Sequence, residues 1–185
     1  RAPCGPASEI ACGPANQPAS IAGLRGVQHF TVTLKGPAYD LHSGVHGGVA
    51  PNPAQGLARL LATLHNEDGS IAVAGFCDHV HPPSAEEHAI ARQGTISDER
   101  YAQEIGCLPL GGKRTQDAIT RGSFEPTIEI NGIHSGYGGP GSKTVIPCSA
   151  EAKLSMRLVP DQRPEDTLAA VQKHLTERCP PGMTL

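Results

Sequence analysis

A regular alternation of apolar and polar residues between 150 and 158 is the feature that most constrains the fold of this chain. Charged or hydroxyl side chains separate apolar ones at every second position. This period of two predicts a β-strand with one buried and one exposed face. The apolar members are Ala150, Ala152, Leu154, Met156 and Leu158. Such one-sided strands are typical of antiparallel sheets, whose apolar face packs under another layer.

Two further segments have the same pattern. Residues 27–35 alternate around Phe30, Val32 and Leu34, and residues 127–131 form a shorter strand. Residues 183–185 have the composition of a strand that has only begun. We therefore expect an antiparallel sheet of four strands, the last of them truncated.

Two amphipathic helices are predicted to cover this sheet. The first begins after Asn52, a favourable N-cap, with Pro53 at the first helical position. The second opens at Pro164. Each places apolar residues at helical spacing on one side. These residues are Leu57, Leu60, Leu61 and Leu64 in the first helix and Leu168, Val171 and Leu175 in the second.

The order of these elements predicts an α+β fold, a ferredoxin-like two-layer sandwich with both helices on one face of the sheet. Residues 77–124 lack a strand pattern and form a helical insertion, with a capping box at Ser84 and Glu87. Residues 1–22, rich in Pro, Ala and Gly, are expected to be a linker to another domain, or the edge of that domain. The domain itself then spans residues 23–185.

Composition narrows the function classes. The formal net charge of −3 gives no basic surface for nucleic acid, and no apolar run has the length of a membrane span or resembles a signal peptide. The six cysteines include no C-x-x-C pair and are interpreted as reduced thiols of a cytoplasmic protein. Because their number is even, disulfides remain an alternative.

Three local motifs invite functional interpretations that their context weakens. The glycine-rich run before Lys143 is interrupted by Ser142 and leads into a strand, so it does not form a phosphate loop. His79 and His81 have no neighbouring ligand cluster, so a metal-binding regulatory domain is the weakest hypothesis.

The run Asp40, His42, Ser43 is too compact for a catalytic triad, whose members converge from separate segments.

Arg157 lies on the polar face of the strand at 150–158. It is either a solvated or ion-paired side chain or a guanidinium that grips a carboxylate.

Three segments taken together resemble a known family. "YDLHSGVHGG", "GPGSKTVIP" and "AKLSMRLVPDQRP" occur in this order, after a strand within "GLRGVQHFTVTLKG". This combination is similar to the lid, or dimerisation, domain of the zinc-dependent aminoacylase and carboxypeptidase superfamily, in its carnosinase-like branch. The resemblance covers about residues 23–185.

The resemblance implies roles for particular residues. His42 would stabilise the tetrahedral oxyanion in the partner subunit's active site, assisted by Thr144. Arg157 would bind the substrate's terminal carboxylate, and Gly141 and Ser142 would line the substrate site. The parent enzyme would be a homodimer, paired through the lid sheet, that hydrolyses dipeptides or N-acyl amino acids with two zinc ions.

The family's zinc ligands have no counterpart here. Ser8 and Glu9 lie where the family often has a Ser-Asp pair, but one carboxylate holds no catalytic metal. We therefore expect this chain alone to bind no zinc and to be inactive. A free-standing dimerisation module without catalysis is the alternative function.

Overall fold

A computed structural model describes residues 11–12, 18–19, 24–93 and 97–185. The strands are β1 (Ala11–Cys12), β2 (Pro18–Ala19), β3 (Gly26–Lys35), β4 (Leu41–His42), β5 (Thr127–Ser135), β6 (Val145–Ile146) and β7 (Ser149–Leu158). The helices are α1 (Ser43–His46), α2 (Pro53–Ala62), α3 (Ala85–Gln93), α4 (Asp98–Ile105), α5 (Ala118–Phe124) and α6 (Pro164–Glu177). The protein is thus an α+β domain built on antiparallel strands, as predicted.

The central sheet has β7 in the middle, flanked by β3 and β5. β3 pairs with all of β7, from Gly26 opposite Leu158 to Lys35 opposite Ser149. β5 extends four residues further than the predicted strand and is interrupted by a bulge between Ile130 and Gly132. The bulge explains the short prediction, because alternation breaks where an extra residue enters the strand.

One hydrophobic core joins the sheet to α2 and α6. The predicted apolar residues of β7 are all buried, and so are Val32 and Leu34 of β3. The four leucines predicted for the first helix belong to the same buried cluster, although α2 ends at Ala62 and Leu64 lies in the turn after it. Two apolar residues of α6, Val171 and Leu175, belong to the cluster as well. Asn52 caps α2 as predicted, since its Oδ1 accepts a hydrogen bond of 3.0 Å from the backbone N–H of Ala54.

The four-stranded sheet is only partly present. The central sheet has three strands in the described residues. At the outer edge of β3 a single antiparallel bridge joins Lys35 to Thr184, through backbone hydrogen bonds of 2.8 and 2.9 Å. Residues 183–185 therefore begin to pair where a fourth strand was expected, without forming one.

The segment 77–124 contains α3, α4 and α5. The capping box is confirmed: Glu87 accepts hydrogen bonds from Ser84, whose hydroxyl accepts one from the Glu87 N–H. Asp117, the N-cap of α5, holds α3 against α5 through Arg92 at 2.9 Å and His88 at 3.2 Å. No helix of the described residues is both long and apolar enough to cross a membrane.

Candidate functional site

A two-stranded ribbon of β4 and β6 brings His42 to Thr144. The pairs are Leu41 opposite Ile146 and His42 opposite Val145. A backbone hydrogen bond of 2.9 Å from Ser43 to Thr144 continues the ribbon. The His42 Nε2 lies 3.0 Å from the Thr144 Oγ1, and both residues are exposed. Two residues assigned by resemblance alone thus form one hydrogen-bonded pair.

The backbone selects the tautomer of His42. The Gly44 N–H donates to Nδ1 at 3.0 Å, which also caps the short helix α1. Since Nδ1 accepts, the neutral ring carries its proton on Nε2. Nε2–H therefore donates toward the Thr144 hydroxyl, on the exposed side of the ring. A fixed N–H donor at an exposed position has the chemistry of an oxyanion-stabilising group.

Gly44 permits this arrangement because it lacks a side chain. A Cβ at this position would lie 2.8 Å from Cε1 and 3.1 Å from Nδ1 of His42. Sequence analysis did not single out Gly44. Only the folded geometry shows how close the ring approaches its backbone.

Arg157 lies on the sheet face opposite the helices. It is exposed and makes no hydrogen bond or ion pair with the described residues, which contradicts the ion-paired alternative. The half-buried Arg25 lies beside it and donates to the Glu125 carbonyl at 3.0 Å. Burial lowers the pKa of Arg25, and the neighbouring Arg157 guanidinium lowers it further. An anion between two such cations would relieve their repulsion.

The histidine and the arginine lie near opposite ends of β7. The ribbon adjoins Ser149, where β7 begins, and Arg157 is next to its last residue. The intervening strand covers about 26 Å at ~3.3 Å per residue. A fully extended dipeptide spans at most about 7 Å. The structure therefore does not bring the predicted catalytic and carboxylate-binding residues together within one chain.

Gly141 and Ser142 lie in the exposed loop before β6. Gly141 adopts a positive φ of 79°, which favours glycine. Lys143 places its Nζ 4.6 Å from the centre of the Tyr137 ring and leads into β6, not into a helix. The loop thus lacks the helix N-terminus of a phosphate site, in agreement with the sequence analysis.

Asp40 does not form a triad with His42 and Ser43. Its Oδ1 instead accepts a hydrogen bond of 2.8 Å from the backbone N–H of Cys148. That hydrogen bond, with a further one from the Cys148 thiol, holds the pKa of the Asp40 carboxyl below its usual value. Sequence analysis weighed Asp40 only as a triad member, so this contact was missed.

Zinc ligands do not converge in the part of the chain that the structure describes. No group of three or more His, Cys, Asp or Glu side chains within residues 24–93 and 97–185 is placed to hold a metal ion. His79 and His81 are exposed and belong to no such group. Ser8 and Glu9 lie outside the described residues. The described residues therefore do not fit a catalytic zinc site.

The described residues thus form an antiparallel α+β domain in which an exposed histidine on a paired loop and an exposed arginine lie near opposite ends of β7. Comparison with known proteins defines the class of domain. Residues 22–183 match the family described as "Peptidase dimerisation domain". The chain belongs to this family.

The relatives lie in the predicted branch. The Cys-Gly metallodipeptidase dug1 of Schizosaccharomyces pombe is 35% identical over 87% of this chain and 34% of its own length. A solved M20 family metallo-carboxypeptidase from Sulfolobus solfataricus superposes with a TM-score of 0.80 at 29% identity, over 92% of this chain and 45% of that one. Human carnosine dipeptidase 1 superposes with a TM-score of 0.72 at 30% identity, over 83% of this chain and 33% of that one. The chain thus spans about a third of the length of the dipeptidases that it matches.

Proposed function

We propose that this chain is the lid and dimerisation domain of a metal-dependent hydrolase that cleaves amide bonds in dipeptides or N-acyl amino acids. The observation that carries the proposal is the His42–Thr144 pair, with its fixed and exposed Nε2–H. In the reaction, the Nε2–H of His42 turns from the Thr144 Oγ1 to the oxyanion that develops on the scissile carbonyl, because the neutral ring has only this one N–H. Until then, Thr144 holds the ring in position. The two zinc ions that the resemblance implies would be bound outside the described residues.

The separation along β7 supports a division of labour between two subunits. One small substrate does not reach both ends of the sheet, so the two residues belong to different active sites. His42 serves the active site of the partner subunit, and Arg157 binds the substrate carboxylate in the active site of its own subunit. Arg157 suits this role because it is exposed, unpaired among the described residues and next to a second cation. Gly141 and Ser142 complete the substrate side from the loop before Thr144.

The homodimer is proposed to form through the free edge of β5. This edge pairs with no other strand of the described residues, and Ile130 and Ile133 on it are 41% and 62% exposed. Unpaired backbone groups with exposed apolar side chains are suited to strand-to-strand association. Replacing Ile133 with lysine should shift the protein from dimer to monomer in sedimentation, whereas His79→Ala, on an exposed loop, should not.

Mutation of His42 tests the catalytic role. In the full-length protein, His42→Ala should lower kcat about hundredfold, the effect of removing one oxyanion donor. His81→Ala, which removes another exposed histidine, is the control and should leave kcat unchanged. An unaltered kcat in a folded His42→Ala protein would refute the assignment.

The intact mass and metal content of the native protein separate this proposal from its alternative. A mass well above 19.2 kDa with about two zinc ions per subunit is expected of a two-metal hydrolase. A native mass equal to that of this chain, without metal, would favour the dimerisation module. The 185-residue chain alone should hydrolyse no dipeptide when zinc is added, and a cytoplasmic location remains a prediction.

A further inference from the structure

The ladder of backbone hydrogen bonds has a gap between the β3–β7 pairing and the β4–β6 ribbon. The pairing of β3 with β7 ends at Lys35 opposite Ser149, and that of β4 with β6 begins at Leu41 opposite Ile146. Residues 36–40 therefore lie opposite only residues 147 and 148. Because these two connecting segments differ in length, they do not by themselves fix the register in which the ribbon resumes.

Asp40 closes this gap with its side chain. Position 147 is a proline without an N–H, and the Cys148 carbonyl accepts from Gly36 N–H at 2.9 Å. The Cys148 N–H donates instead to the Asp40 Oδ1 at 2.8 Å, although the two residues are 108 positions apart. The carboxylate thus takes the place of a ladder carbonyl directly before the ribbon resumes.

We propose that Asp40 is a positioning residue for His42, because its bond to the Cys148 N–H sets the register of β4 against β6. A slip of one residue would turn His42 to the other face of the ribbon, away from Thr144. The catalytic consequence rests on the proposed function, whereas the structural consequence does not. Asp40 touches neither the His42 ring nor the exposed side of Nε2, so it acts only through His42.

The structural test is nuclear magnetic resonance on the 185-residue chain with ¹⁵N-labelled histidine. The wild-type ring should give the shifts of a single Nε2–H tautomer, with contacts from His42 to Val145. Asp40→Ala should give averaged tautomer shifts and lose those contacts. Asp40→Asn, whose Oδ1 still accepts, should restore both. A fixed tautomer and an intact register in the folded alanine variant would overturn the proposal.

Kinetics of the full-length protein give a second, independent readout. Asp40→Ala should lower kcat about tenfold with little change in KM, since a misplaced donor weakens the transition state and not the ground state. In a His42→Ala background the same change should have no further effect. A tenfold loss that persists without His42 would show that Asp40 acts in some other way.

Asp68→Ala is the matched control. Asp68 is also exposed and accepts a backbone hydrogen bond, from Ser70 at 2.9 Å, but within a turn remote from His42. It should alter neither kcat nor the histidine spectrum. If Asp40→Ala fails to fold, amide exchange in the wild type decides: the Cys148 N–H should be protected, and rapid exchange would refute the proposal. If His42→Ala is fully active, the proposed function fails, and the spectra still decide the role of Asp40.

Discussion

Replacing Gly44 with alanine should damage the site while leaving the fold intact. The added Cβ would lie 2.8 Å from the Cε1 of His42, whereas nonbonded carbon atoms prefer about 3.5–4.0 Å. The ring must therefore move by about 0.7 Å or more, and its 3.0 Å hydrogen bond from the Gly44 N–H lengthens. His42 is exposed, so the ring is free to swing away from the contact.

The cost to stability and the cost to activity are expected to differ. Alanine gains about 1 kcal/mol over glycine in a helix, which offsets the ~1 kcal/mol of the lost hydrogen bond. The free energy of unfolding should thus change by less than about 1 kcal/mol. A misplacement approaching 1 Å costs up to about a hundredfold in rate, so kcat should fall tenfold to a hundredfold.

The assay combines kcat and KM of the full-length protein on a dipeptide with urea unfolding of the same sample. Gly122→Ala is the control, since Gly122 also lies in a helix, α5, and an added Cβ meets no atom within 4 Å. An unchanged kcat in Gly44→Ala would refute the reasoning. A loss of several kcal/mol of stability would also refute it, because the residue would then be structural.

Three further predictions concern the fold. Leu154→Ala, at the centre of β7 and 1% exposed, should lower the free energy of unfolding by about 2–5 kcal/mol in urea titrations. Asn52→Ala should cost about 1 kcal/mol in the same assay through loss of the α2 cap, and Asn52→Ser should cost less. Burial lowers the pKa of His174 below about 6.5, so the unfolded chain takes up this proton first as the pH falls. Stability should therefore be highest above pH ~6.5 and decline as the pH falls toward the folded pKa, and His174→Gln should flatten that decline in urea midpoints measured between about pH 8 and 5.

Local patterns sufficed for the layers of the fold and not for the site. The alternation of β7 and the cap of α2 are encoded within a few neighbouring residues, so the sequence alone predicts them. The His42–Thr144 contact joins residues 102 positions apart through strands of two residues each, which are too short to carry a period. The resemblance therefore identified the residues of the site, whereas their geometry is visible only in the folded structure.

Gly44 and Asp40 illustrate what the sequence does not encode locally. The segment 38–48 contains several glycines with no sign of which one a neighbouring ring will approach. An aspartate two residues before a histidine likewise invites a triad interpretation, whereas its actual partner is a backbone N–H in a distant loop. Both roles depend on tertiary contacts, which override local preference.

Mixing two inactive variants of the full-length protein tests the proposed exchange between subunits. If His42 acts in the partner's site and Arg157 in its own, a dimer of one His42→Ala and one Arg157→Ala subunit has one intact site and one that lacks both groups. Random pairing of equal amounts gives about half mixed dimers, and hence about a quarter of the wild-type activity. If both residues served the same site from the same chain, every site would lack one group and activity would stay near the level of the separate variants. Activity would also stay at this low level if each site took both His42 and Arg157 from the partner subunit. Recovery therefore requires that the two ends of β7 serve different active sites, which is what their separation of about 26 Å along the strand implies.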